Sequence, residues 1–182
     1  PARAQEVDEP IYFTVDAEVG APLNDPVEDQ FEPGGGGGLG LYFSLVPELA
    51  VGARVGAGAL AEGDPVPQDP VPRGPGDYGL LAASVRVHPF ASLMDTRSRA
   101  AGFYLAASPG VGVVDGEIVP GYSTSVGYNF ALGPISVGPK ARFTHFIETE
   151  GRFGDNDVLM LTGGLEVAIA DQATVSEPPP PP

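Results

Sequence analysis

The sequence predicts an all-β fold, an eight-stranded antiparallel up-and-down transmembrane β-barrel. Three observations predict it. Apolar and polar residues alternate along nearly the whole chain, the strand charges fall on one face of that alternation, and tight turns take turns with longer loops. Successive side chains of a strand point to opposite faces, so each alternating segment has one apolar face and one small, polar or charged face.

The first strand, about 11–20, sets the pattern: Ile11, Phe13, Val15 and Val19 on one side, Asp16 and Glu18 on the other. The second, 37–46, puts Leu39, Leu41, Phe43 and Leu45 opposite Gly38 and Gly40, and the third, 49–60, sets Val51 and Val55 against Gly52, Arg54, Gly56 and Gly58. A tight turn at Pro47-Glu48 joins these two. The fourth, 78–88, carries Val85 and Val87 opposite Arg86 and His88, and ends at Pro89-Phe90 in a link containing Arg97 and Arg99. The fifth, 101–113, and sixth, 121–131, carry Phe103, Leu105, Val111, Val126, Tyr128 and Phe130 on the apolar face, with Gly110, Gly112 and Gly127 opposite. After a second tight turn at Leu132-Gly133-Pro134, the seventh, 135–146, sets Val137 and Phe143 against Gly138, Lys140 and Arg142. The eighth, 158–169, sets Leu159, Leu161, Leu165, Val167 and Ile169 against Gly164 and Glu166. The connections 21–36, 61–77, 114–120 and 147–157 share the opposite end from the tight turns. An even strand count with short turns at one end and longer loops at the other is the plan of outer-membrane barrels.

Which face meets lipid follows from cost. A Lys or Arg on the lipid face near the bilayer midplane costs about 2–4 kcal/mol, whereas inside a narrow lumen the same charges pair. The predicted interior network is Asp16, Glu18, Arg54, Arg86, His88, Lys140, Arg142 and Glu166, with glycines making room for the long side chains. An eight-stranded interior is only just wide enough for side chains to fill, so the network reads as a plug, with a narrow gated channel as the alternative. A soluble ligand-binding barrel would use the same rhythm with the apolar face inward. Its outer face would then consist mainly of Gly, Ser and Ala, and the ring of Phe43, Phe90, Phe103 and Phe130 near the short-turn end would lose its interfacial meaning.

Composition narrows the function. The net charge of −15 and the absence of a basic stripe exclude a nucleic-acid partner. Most carboxylates lie in the loops: Asp25, Glu28, Asp29 and Glu32, then Glu62, Asp64, Asp69 and Asp77, then Glu148, Glu150, Asp155 and Asp157. They read as a solvated surface available to a cell-surface protein partner, set beside outer-membrane lipid and lipopolysaccharide. Asp155-Asn156-Asp157 opens like a calcium loop but lacks the glycine and the closing Glu, so no metal site is expected. With no cysteine, thiolate chemistry is excluded. No apolar run reaches the ~20 residues of a spanning helix, but a barrel strand needs only about 9–11. Ala2-Arg3-Ala4 has the small-x-small form of a signal-peptidase site, placing a mature start near Gln5.

No catalytic residue or cofactor is expected. His145 falls on the outward face near the long-loop end, but its segment offers no serine and only Glu148 and Glu150 as carboxylates, short of a nucleophilic site. Gly35-x-Gly37-x-x-Gly40 matches a dinucleotide fingerprint without the preceding strand and following helix that fingerprint needs, and reads as a flexible loop leading into a strand.

The segments Leu45-Val46-Pro47-Glu48-Leu49-Ala50-Val51-Gly52, Val87-His88-Pro89-Phe90 and Leu132-Gly133-Pro134-Ile135-Ser136-Val137-Gly138-Pro139 give the chain its family likeness. It resembles the N-terminal membrane domain of OmpA-type outer-membrane proteins, over about residues 10–170. The resemblance implies a non-enzymatic anchor in the outer membrane of a Gram-negative bacterium, joined to peptidoglycan through a domain beyond this chain. Residues 1–9 are then an N-terminal segment, 10–170 the barrel and 171–182 a proline-rich linker, stiff because consecutive prolines hold an extended helix. The absence of Trp departs from that family and leaves the girdle to Tyr and Phe.

Overall fold

The alternation becomes eight strands: β1 (Ile11–Pro22), β2 (Phe31–Val46), β3 (Leu49–Glu62), β4 (Gly76–Val87), β5 (Gly102–Val114), β6 (Glu117–Leu132), β7 (Ile135–Thr149) and β8 (Asn156–Ala170). The computed structural model describes residues 11–24, 31–63, 75–91, 100–114, 116–149 and 156–170. Each strand pairs antiparallel with the next, and β8 returns to β1, so Phe13 faces Leu41 on one side and Ile169 on the other. Closure removes both sheet edges and pairs the backbone within the barrel, as hydrocarbon requires.

The two ends differ as the connections predict. At the turn end, Pro47-Glu48 joins β2 to β3, and Gly133-Pro134 joins β6 to β7 with Gly133 at φ 71°, a left-handed conformation that glycine adopts without strain. At the loop end, β5 reaches β6 through residues 115–116, and Gly116 takes φ 87° between the paired Val114 and Glu117. The expected connection 114–120 is mostly strand, because Val114 and Val119 point inward and Ile118 outward, continuing the alternation on either side of the turn. β1, β7 and β8 also run past their expected ends. β4 stops at Val87 and leaves His88 outside it, next to Pro89.

The glycine run is the main correction. β2 takes in the whole run, so Gly34 to Gly36, expected in the connection 21–36, are strand; Gly34 faces Gly20 of β1 and Gly38 faces both Asp16 of β1 and Gly56 of β3. Glycine weakens a strand in isolation, so the start of the run reads as a loop from sequence. In the closed sheet its neighbours supply the pairing, and large interior groups use the space it leaves. Prolines also enter the strands: Pro109, Pro120 and Pro139 face outward. β4–β5 pairing lapses between Ala82–Gly110 and Val85–Ala107 beside Pro109, and β6–β7 pairing lapses between Gly127–Lys140 and Phe130–Val137 beside Pro139. A residue without N–H interrupts the ladder there.

The outside of the wall is apolar. Ile11, Phe13, Val15, Leu39, Leu41, Val55, Leu105, Val111 and Ile169 are all exposed, Leu81 at 65% and Leu165 at 59%. Among the described residues, outward charges in the strands sit at the loop-end rim, on Glu32, Glu62, Asp77, Glu117 and Asp157. Phe90 packs on Phe103 (6.1 Å between centroids) and Tyr128 on Phe130 (4.8 Å), which with Phe43 forms an aromatic ring at the turn end. A belt of exposed hydrocarbon bounded by aromatics, around a charged interior, is the polarity of a transmembrane barrel. Among the described residues the inverse arrangement of a soluble barrel is absent.

The N-terminal segment and the proline-rich linker lie outside the described residues, as do Asp25, Glu28, Asp29, Asp64, Asp69, Arg97, Arg99, Glu150 and Asp155.

Candidate functional site: the charged lumen

All eight side chains of the predicted network point inward and are buried: Asp16, Glu18, Arg54, Arg86, His88, Lys140, Arg142 and Glu166. They form two groups. In the middle of the barrel, Arg54 donates to both oxygens of Asp16 (Nη1 to Oδ2 2.5 Å, Nη2 to Oδ1 2.8 Å). Arg142 donates to Glu18 Oε1 at 2.8 Å and reaches Asp16 Oδ1 at 3.5 Å. Lys140 Nζ lies 2.7 Å from Asp16 Oδ1 and 3.3 Å from Glu18 Oε2, near enough for ion pairing but out of line for hydrogen bonds.

Toward the turn end, Arg86 pairs with Glu166, and Asn129 Nδ2 donates to the same carboxylate oxygen at 2.8 Å. The Arg86 guanidinium lies over the Tyr104 ring, 3.5 Å from its centroid, with the stacked Tyr42 and Tyr12 at 5.2 and 5.9 Å. Desolvated cation–π contacts of this kind contribute about 2 kcal/mol. His88 sits below, its ring 6.0 Å from Tyr104, and its backbone N–H donates to the Glu48 carbonyl at 2.8 Å. Neither His88 ring nitrogen has a hydrogen-bond partner among the described residues.

Glycines explain how these pairs cross the lumen. Arg54 of β3 reaches Asp16 of β1 over Gly38 of β2, where an added Cβ would lie 2.9 Å from the guanidinium carbon. Lys140 of β7 reaches Glu18 of β1 over Gly164 of β8, which pairs with both. Asn129 of β6 reaches Glu166 of β8 over Gly138 of β7. Tyr104 lies against Gly127, where a Cβ would come within 2.6 Å of its ring. Asp16 and Glu166 are direct cross-strand neighbours, an arrangement of like charges that is unfavourable by itself. Each is turned to its own cations, which splits the network in two.

Sequence reading missed two parts of this interior. Tyr12, Tyr42, Tyr104 and Asn129 occupy inward positions of the same alternation, but a tyrosine reads as girdle until its register is known. The loop end of the lumen holds an apolar cluster of Phe31, Leu60, Val114, Val119, Phe146, Val158 and Met160, with Tyr78 and Leu80 packed on it. Extending the alternation through Phe146 and Met160 would have found it. Between this cluster and the charges is a cavity of about 20 Å³, lined by Glu18, Arg54, Tyr78, Arg142, Thr144 and Phe146 among others.

Outside the wall, His145 faces outward near the loop end. Its Nε2 is 2.7 Å from Asp157 Oδ2 and its Nδ1 3.2 Å from the Tyr122 hydroxyl. Among the described residues the carboxylate that meets the ring is Asp157 of β8; the side chains of Glu148 and Glu150 lie outside them. Both nitrogens are engaged, and the hydroxyl in reach is a phenol rather than a serine.

No family model and no curated protein matches the chain. Among solved structures, the fold is similar to Neisserial surface protein A, at 12% identity over 88% of this chain and 97% of that one, with a TM-score of 0.62. It is also similar to the outer membrane protein OprG from Pseudomonas aeruginosa, at 8% identity over 91% of this chain and 98% of that one, with a TM-score of 0.56. The likeness is one of fold: the same closed barrel, spanned almost end to end.

Proposed function

We propose that this chain is a non-enzymatic barrel of a Gram-negative outer membrane, acting as an anchor with a closed lumen rather than as a conduit. One observation carries the reading: the charges that would line a pore are inaccessible to water, the Asp16 side chain at 0% and Lys140 at 1% exposure. A water-filled channel would leave those groups wet. Ion pairs fill the middle of the lumen and the apolar cluster covers its loop end.

The likeness to an outer membrane protein and a surface protein supports the location. The OmpA-type resemblance at Pro47-Glu48 and Gly133-Pro134 supports the anchoring role. The proline tract that follows the barrel suits a stiff tether, on this reading toward peptidoglycan. The acidic loops and rim then face outward among lipid and lipopolysaccharide, where they are available to a surface partner. The test is reconstitution of the refolded chain into planar bilayers. Flat current traces at 100 mV are expected; reproducible single-channel steps that change on replacing Lys140 or Arg142 by Ser would replace the anchor with a small channel.

A further inference from the structure

The central ion-pair group does not balance. Arg54, Lys140 and Arg142 meet Asp16 and Glu18, so three cations share two carboxylates and one positive charge is in excess. The second group cannot compensate, because Arg86 and Glu166 already neutralise one another. All of these groups are buried. An uncompensated charge in such surroundings is far more costly than one at a wet surface.

The space beside this excess is suited to a counter-ion. The cavity of about 20 Å³ is bordered by the cations Arg54 and Arg142 and by two hydroxyl-bearing side chains, Tyr78 and Thr144, with Phe146 and Leu80 closing its loop-end side. One water-sized volume is about 10–15 Å³ on this measure, so the cavity admits a monatomic ion and nothing much larger. The carboxylate on its border, Glu18, is covered by cations on both oxygens, Arg142 at 2.8 Å and Lys140 at 3.3 Å, and so presents little free negative charge to an occupant.

We infer that the lumen holds one small monovalent anion of halide size in the cavity between Arg54 and Arg142, as the counter-ion of the three-cation, two-carboxylate cluster. The charge layer borders the cavity on one side and the apolar cluster on the other. The anion completes the electrostatics of the plug without taking part in transport.

The test uses the whole chain refolded in detergent micelles in sodium bromide. Crystals grown from that preparation should show an anomalous bromide peak between Arg54 and Arg142; a peak at the surface alone, or none, overturns the inference. In parallel, thermal unfolding is followed at fixed ionic strength in sodium chloride, bromide and gluconate, gluconate being too large for the cavity. Binding to the folded state alone raises the folding equilibrium constant about tenfold per tenfold halide above saturation. Wild type should therefore unfold at higher temperature in halide than in gluconate, and Lys140→Gln, which removes the excess charge, should lose that difference. Equal behaviour of wild type in all three salts overturns the proposal. So does an undiminished halide effect in Lys140→Gln, which would leave a general salt effect, or a neutral Lys140 in the wild type, as the explanation. If Lys140→Gln does not fold, the bromide peak in the wild type decides.

Discussion

Replacing Asp16 by Asn tests the idea that the lumen is held by ion pairing. Asp16 contacts three cations, Arg54 at 2.5 and 2.8 Å, Lys140 at 2.7 Å and Arg142 at 3.5 Å, and its side chain is fully buried. At an effective dielectric of about 20, each contact near 2.7 Å is a gross attraction of about 6 kcal/mol, most of it offset by desolvation. The amide is nearly the same size, so packing survives, but Arg54 loses its carboxylate and the excess positive charge in the lumen doubles from one to two. Breaking a buried pair from one side costs about 3–5 kcal/mol, or a hundred- to several-thousand-fold in the folding equilibrium. Urea titration of the barrel in phospholipid vesicles, read from the gel mobility of unboiled samples, measures it. A loss below about 1 kcal/mol would refute the reasoning. The double variant Asp16→Asn/Lys140→Met removes one charge of each sign and should lose less than the sum of its parts by at least about 1 kcal/mol. Strict additivity would mean that the 2.7 Å contact carries no energy of its own.

Other perturbations address the wall and the packing. Leu81→Lys, on the lipid face near the middle of β4, should cost about 2–4 kcal/mol in vesicles; a change within 0.5 kcal/mol, on the scale of a neutral surface substitution, would contradict the membrane placement. Gly127→Ala should cost about 1–3 kcal/mol by driving a methyl into the Tyr104 ring, whereas Gly163→Ala, whose nearest contact would be 3.9 Å away, should be neutral or stabilising by up to about 1 kcal/mol. The same urea titration separates the two, and equal effects would sink the claim that inward glycines are spacers. Tyr104→Leu keeps an apolar group beside Arg86 but removes the ring face, and should cost about 2 kcal/mol in that titration. A loss no larger for Tyr104→Leu than for Phe13→Leu on the lipid face would show that the stack contributes nothing beyond burial.

The sequence by itself determined which face of each strand each residue occupies. Leu39 and Leu41 point out and Asp16 and Arg54 point in because a strand alternates with period two, a local property that needs no partner. Strand count, tight turns and the sign of the wall follow from the same local rule. Closure and register decided the rest. That Arg54 meets Asp16 over Gly38, that Glu166 leaves its neighbour Asp16 for Arg86, and that Gly34 to Gly36 are strand all depend on which residues are brought level across adjacent strands. Tyr104 became a platform for Arg86, Phe146 and Met160 became part of an apolar cover, and Asp157 became the partner of His145 for the same reason. Inside a narrow barrel every interior side chain competes for one shared volume, so its partners are set by the stagger of the whole ring, a quantity that no single strand encodes.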